Sequence, residues 1–137
     1  MVSLCLTSFL FFTTVIHAFY TRNPFYHHVM LAVTVLSIAF HHHSLTVDKG
    51  AYFRYLALID KITAHAVFCL LFCDMAMMVH KNCWIVWLLV FPYVIVMIWF
   101  MENSPIYKHL NKPLHTILHL VSICCVHFLI HMKTIGY

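Results

Sequence analysis

Residues 83–101 read CWIVWLLVFPYVIVMIWFM, from Cys83 to Met101, without one charged side chain or histidine. A helix needs about 20 mostly apolar residues to cross the hydrocarbon core of a bilayer. This stretch meets that need. Its surface is apolar nearly all round, which suits contact with lipid or with another chain. Pro92 interrupts it, and spanning helices tolerate such breaks where neighbouring groups satisfy the freed backbone.

Working outward, the pattern recurs. From about Val2 to Tyr20 there is no Lys, Arg, Asp or Glu. A cleaved signal peptide is the alternative reading of that segment; it lacks a basic leader, and IHAFY is a poor cleavage site. Arg22, Asn23 and Pro24 form a tight turn before a second segment, about Phe25 to His43, built on VMLAVTVLSIAF. Asp48, Lys49 and Gly50 read as loop. The third segment, about Ala51 to Val79, is the most polar, with Asp60, Lys61 and Asp74. Lys61 can snorkel to the headgroups, whereas Asp60 has no such reach. His80-Lys81-Asn82 is the next turn. Beyond the quoted run, ENSPIYKHLNK reads as loop, and a fifth segment covers about Pro113 to His131. Pro113 suits a first helical turn.

The expectation is therefore an all-α, polytopic transmembrane helical bundle of about five spanning helices (2–20, 25–43, 51–79, 83–101, 113–131), a single membrane domain over residues 1–137. Composition agrees. The 137 residues are 64% hydrophobic and 9% charged, against about a quarter charged in soluble domains. The net charge of +4 comes without a basic run, which excludes a nucleic-acid footprint. The six cysteines form no C-x-x-C pair and read as small buried hydrophobes. With five spans, Lys49, Arg54, Lys61, Lys108 and Lys112 share a face with the N-terminus, against Arg22, Lys81 and Lys133 opposite. The positive-inside rule then places the N-terminus in the cytosol.

The 13 histidines are what function must explain, because ionisable groups inside a membrane are costly and usually face a cavity, a partner or a metal. Taken singly, each reads most simply as a hydrogen-bonded or interfacial side chain; that is the reading of His17, His27, His28, His65, His80 and His109. Three motifs stand apart. The second segment ends in Ser37-x-x-x-His41, the third opens with Asp60, and the fifth opens with His115-x-x-x-His119. A spacing of four puts two side chains on one helical face, one turn apart. The pattern also occurs at His127 and His131, so spacing alone is weak. Topology adds weight: if the third segment crosses, Ser37, His41, Asp60, His115 and His119 all fall near one leaflet.

Three neutral histidines with an open fourth position make a catalytic zinc arrangement. Zinc there lowers the pKa of bound water to roughly 7. Asp60 is the candidate to hold that water and take its proton, and Ser37 to donate to a developing oxyanion. His42 and His43 compete with His41, which alone stands four residues after Ser37. Haem ligation by two of His41, His119 and His127 stays open, as does a metal-free module whose histidines meet lipid headgroups or sense pH. The H-x-x-H-H box of membrane di-iron enzymes is absent from the sequence.

These residues resemble a known superfamily. Hemolysin-III proteins, progestin/adipoQ receptors and alkaline ceramidases share S-x-x-x-H late in the second helix, Asp early in the third and H-x-x-x-H early in the last. This chain has SIAFHHHS, FRYLALID and HTILHLVSICCVHFLI. The last string, with His127-Phe128 after the motif, is most similar to the hemolysin-III and adipoQ-receptor branch, as is the spacing from His41 to Asp60. The resemblance covers over half the chain. It implies zinc on His41, His115 and His119, with Asp60 and Ser37 beside the bound water, and hydrolysis of a lipid amide such as a ceramide. Within the same superfamily it equally admits a receptor or interaction protein with structural zinc. The family has seven helices and this chain has room for about five. Losing two preserves which leaflet the motifs share, while the lipid cavity is what their loss puts in question. Association of protomers into a homo-oligomer is one way to replace them.

Overall fold

The computed structural model describes residues 2–46, 51–81 and 90–136, and all the regular elements among these are helical. In chain order they are α1 (Val2–Tyr20), α2 (Pro24–Thr46), α3 (Ala51–Lys81), α4 (Val90–Asn103), a short 3₁₀ segment (Pro105–Leu110) and α5 (Asn111–Thr134). Among the described residues three helices are long and apolar enough to cross a membrane: Pro24–His42, Tyr52–Met78 and Lys112–Thr134. A shorter apolar helix covers Leu6–Tyr20. The first part of the expected 83–101 span lies outside the described residues.

The chain divides into two compact units, Met1–Cys69 and Leu70–Tyr137. The helix α3 contributes its first part to one and its last part to the other.

In the first unit α1 packs on α2. Their buried faces carry small hydroxyl residues: Thr7, Ser8 and Thr14 on α1, Thr34 and Ser37 on α2. Small residues let helix backbones approach where lipid removes the hydrophobic drive for association. The Thr14 hydroxyl donates to Phe11 O at 2.6 Å and that of Thr34 to Met30 O at 2.6 Å, so neither is left unsatisfied in an apolar interface.

The turn between them is set by local chemistry. Asn23 N–H donates to Ala18 O at 2.9 Å and Arg22 N–H to Phe19 O at 3.1 Å, the paired bonds of a Schellman ending. This requires a left-handed residue, and Arg22 supplies it with φ +54°. The Asn23 side chain then accepts from Tyr26 N–H at 3.3 Å, with Pro24 as the first residue of α2. Asn at the cap and Pro just inside suit a helix start.

In the second unit α4 packs on α5. Ile95 and Ile98 line the buried side of α4, and Leu114, Ile123, Val126, Leu129 and Ile130 that of α5. The end of α3 joins α5 through the Lys133 ammonium, which donates to Asp74 Oδ2 at 2.6 Å. Cys125 Sγ contacts Met75 Sδ at 3.9 Å. The stretch read from sequence as loop, 102–112, is largely helical: Glu102 and Asn103 extend α4, and the 3₁₀ segment is interrupted only at Tyr107, with φ −102° and ψ 17°. Ser104 N–H to Met101 O and Tyr107 N–H to Ser104 O, both 3.2 Å, carry the chain round this corner.

Candidate functional site

In the first unit the buried face of α2 runs through Tyr26, Met30, Thr34, Ser37 and His41. Steps of three and four residues keep these on one side of a helix. Ser37 and His41, 4% and 5% exposed, are thus presented together, one turn apart. His42 is exposed, which separates it from His41 in environment; the side chain of His43 lies outside the described set. The His41 ring is tilted against Phe40, centroids 4.9 Å apart, and Phe40 packs on Phe53 of α3 at 5.5 Å. Phe53 is therefore a contact that seats the end of α2. Asp60 lies on α3 in this unit and is half-buried.

Ser37 Oγ is 2.9 Å from Ser8 Oγ, both buried. Either hydroxyl can be the donor. Sequence reading missed Ser8: it carries no motif and reaches Ser37 only because α1 folds back along α2.

In the second unit His115 and His119 occupy the first turns of α5. Their ring centroids are 4.6 Å apart and the planes tilted by 56°, so the two rings share one face. His119 is buried at 8% exposure and His115 is half-buried. His115 Nδ1 lies 2.7 Å from Oε1 of Glu102, on the last turn of α4. An ionised carboxylate only accepts, so the imidazole must donate from Nδ1. Glu102 is the second residue that sequence reading missed, having assigned it to a loop.

Imidazole suits zinc, copper, iron and nickel, and each of His41, His115 and His119 offers a ring nitrogen that could ligate a metal ion. The fit is best seen in the second unit. Metal-ligating histidines almost always donate their other ring N–H to a carboxylate, a carbonyl or water, and His115 donates to Glu102 in this way. What sets His115 apart is that its partner is a carboxylate on another helix and that a second imidazole, His119, lies beside it. His28 and His65 are exposed and donate from Nδ1 to carbonyls of their own helices, Pro24 O and Lys61 O, each at 2.6 Å. That matches the plain reading of a helix-surface histidine.

No protein-family model matches the chain, and neither a curated protein nor a solved structure does.

Proposed function

We propose that this is a multi-pass membrane protein of about five spans, its N-terminus cytosolic, that binds zinc through His41, His115 and His119 and hydrolyses a lipid amide of the ceramide type. The observation that carries the reading is the His115–His119 face with the Glu102 carboxylate on His115 Nδ1. The burial of Ser37 and His41 together on α2 adds to it.

Zinc, when bound, supplies a hydroxide nucleophile near neutral pH. Asp60 would accept a proton from the attacking water and pass it to the amide leaving group. Ser37 would donate a hydrogen bond from its hydroxyl to the carbonyl oxygen as negative charge develops there. The apolar, lipid-facing helix surfaces would admit the acyl chains: Tyr52, Tyr55 and Ile62 are exposed on α3, of whose span only 6% is buried. Membrane lipid is thus both solvent and source of substrate.

A second reading is a non-catalytic receptor or interaction protein with structural zinc, and one observation favours it: the Ser37 hydroxyl is already joined to Ser8 in the helix interface. Elemental analysis of the purified full chain in detergent tests the metal, with about one zinc per chain expected, lost in a His115→Ala/His119→Ala double variant. Well-folded protein without metal would overturn both readings. Ceramide hydrolysis separates them: Asp60→Asn should keep zinc and abolish turnover.

A further inference from the structure

The chain's single glutamate stands in an unfavourable place. Glu102 is the second-last residue of α4. Unsatisfied carbonyls and the helix dipole make a C-terminus electronegative, so an acid there is disfavoured by about 0.3–1 kcal/mol. A helix ending chosen for stability would carry Lys or Arg. No basic residue occupies the last turn of α4. The carboxylate is also half-buried, its side chain 21% exposed against 24% for its His115 partner. A group placed against the dipole and partly out of water needs compensation, and the 2.7 Å bond to His115 provides it.

We infer that Glu102 is a positioning residue for His115, fixing its tautomer and ring orientation so that Nε2 is the ligating nitrogen. The inference rests on the metal-binding reading above and deepens it. A neutral imidazole carries one proton, on either nitrogen. In water the two tautomers exchange and the ring turns freely. The carboxylate holds the proton on Nδ1, which leaves the Nε2 lone pair as the only ligating position on this ring. It also holds the ring from a different helix, 13 residues back in the chain. The ring's direction is then set by the packing of α4 on α5 rather than by its own side-chain torsions. Since His119 lies one turn along the same face, with ring centroids 4.6 Å apart, fixing one ring limits where a shared ion can sit. The interrupted 3₁₀ segment Pro105–Leu110 is the device that returns the chain so that the end of α4 faces the start of α5.

The test uses the full chain in detergent micelles, with wild type, Glu102→Ala and Glu102→Gln compared by zinc competition against a chromophoric chelator. Loss of such an outer partner typically weakens metal binding 10–100-fold, and that range is expected for Glu102→Ala. Glu102→Gln retains an acceptor oxygen at the same reach without the charge, so it should recover most of the loss. Two further readouts are insensitive to overall stability. The visible spectrum of the Co²⁺-substituted protein should change in Glu102→Ala and return toward wild type in Glu102→Gln. In ¹⁵N-histidine spectra of the metal-free protein, the resonance that vanishes in His115→Gln should show the Nδ1–H tautomer in wild type and a tautomer mixture in Glu102→Ala. If Glu102→Ala does not fold, wild type and Glu102→Gln carry the comparison, and a wild-type His115 protonated on Nε2 would overturn the inference. Zinc affinity and Co²⁺ spectrum unchanged in Glu102→Ala would overturn it too, while leaving the metal reading intact. Wild-type protein that binds neither metal would remove the metal reading, and this inference with it.

Discussion

Lys133→Ala should destabilise the protein more than Asp74→Ala, although both remove the same bond. Lys133 and Asp74 meet at 2.6 Å inside two of the helices apolar enough to cross a membrane. Their side chains are 31% and 14% exposed. Exposed pairs are worth about 0.2–1 kcal/mol, and breaking a buried pair by removing one partner costs about 3–5 kcal/mol. This pair lies between, so about 2 kcal/mol is expected for losing the lysine. The asymmetry comes from reach. Lys133 is one residue from the end of α5, and its four-carbon stem can carry the ammonium to the headgroups when the carboxylate is gone. Asp74 is seven residues from the end of α3 on a stem of one methylene. It stays where it is, so Asp74→Ala should cost only about 1 kcal/mol. The double variant Asp74→Asn/Lys133→Met should cost less than the sum of the two alanine changes, since neither charge remains to be desolvated. Denaturant unfolding of the full chain in detergent, followed by circular dichroism, gives all three values. An Asp74→Ala loss equal to or larger than that of Lys133→Ala would refute the reasoning.

Other consequences are smaller or more local. Arg22→Gly removes an L-residue from a left-handed position, worth about 1–2 kcal/mol, and costs some unfolded-state entropy, about 0.5–1 kcal/mol; a net gain of about 0.5 kcal/mol in thermal unfolding is expected. Leu129→Ala, at a fully buried position of α5, should lose about 2–5 kcal/mol, because packing density is what holds helices together in lipid. Tyr52→Ser, on the exposed side of α3, should leave the stability of the detergent-solubilised chain within about 0.5 kcal/mol of wild type.

What could be read from the sequence follows the range of each interaction. The helical class and the apolar surfaces are properties of composition and run length, and they were legible. So was the turn at Arg22, Asn23 and Pro24, since capping chemistry acts within a few residues. The pairing of Ser37 with His41 and of His115 with His119 is a matter of helical period, equally local. The partners that complete these groups are not local. Glu102 is 13 residues from His115, Ser8 is 29 from Ser37, and Asp74 is 59 from Lys133. No period links those positions; they meet through helix packing. Glu102 was further hidden because ENSPIYKHLNK has the polar, Pro-containing composition of a loop, while the 3₁₀ segment within it shows no apolar period. One signal was available: a lone acidic residue at the end of an otherwise apolar helix has no stabilising role by itself and invites a search for its partner.

Ser37 offers the sharpest division between the hydrolase and the structural-zinc readings. Its hydroxyl has one proton to give. At 2.9 Å from Ser8 Oγ, that proton either goes to Ser8 or stays available while Ser8 donates. If the bond serves only packing, Ser37→Ala and Ser8→Ala both remove the same interhelical hydrogen bond, worth about 0.6 kcal/mol on average between membrane helices, and neither touches the chemistry. Their double variant should then cost little more than either alone. If Ser37 also donates to a developing oxyanion, the two substitutions diverge in catalysis. Ser37→Ala should lower ceramide turnover by about 10²–10³-fold, the usual effect of deleting an oxyanion donor. Ser8→Ala should leave turnover within about threefold, because the Ser37 proton no longer has Ser8 as an acceptor and is free for the substrate. Both variants should retain zinc, since neither serine carries a ligating nitrogen. A steady-state assay on zinc-replete protein, with unfolding measured in parallel, decides between them. Equal turnover in the two serine variants would remove Ser37 from the chemistry and leave it as a helix-packing hydroxyl beneath His41.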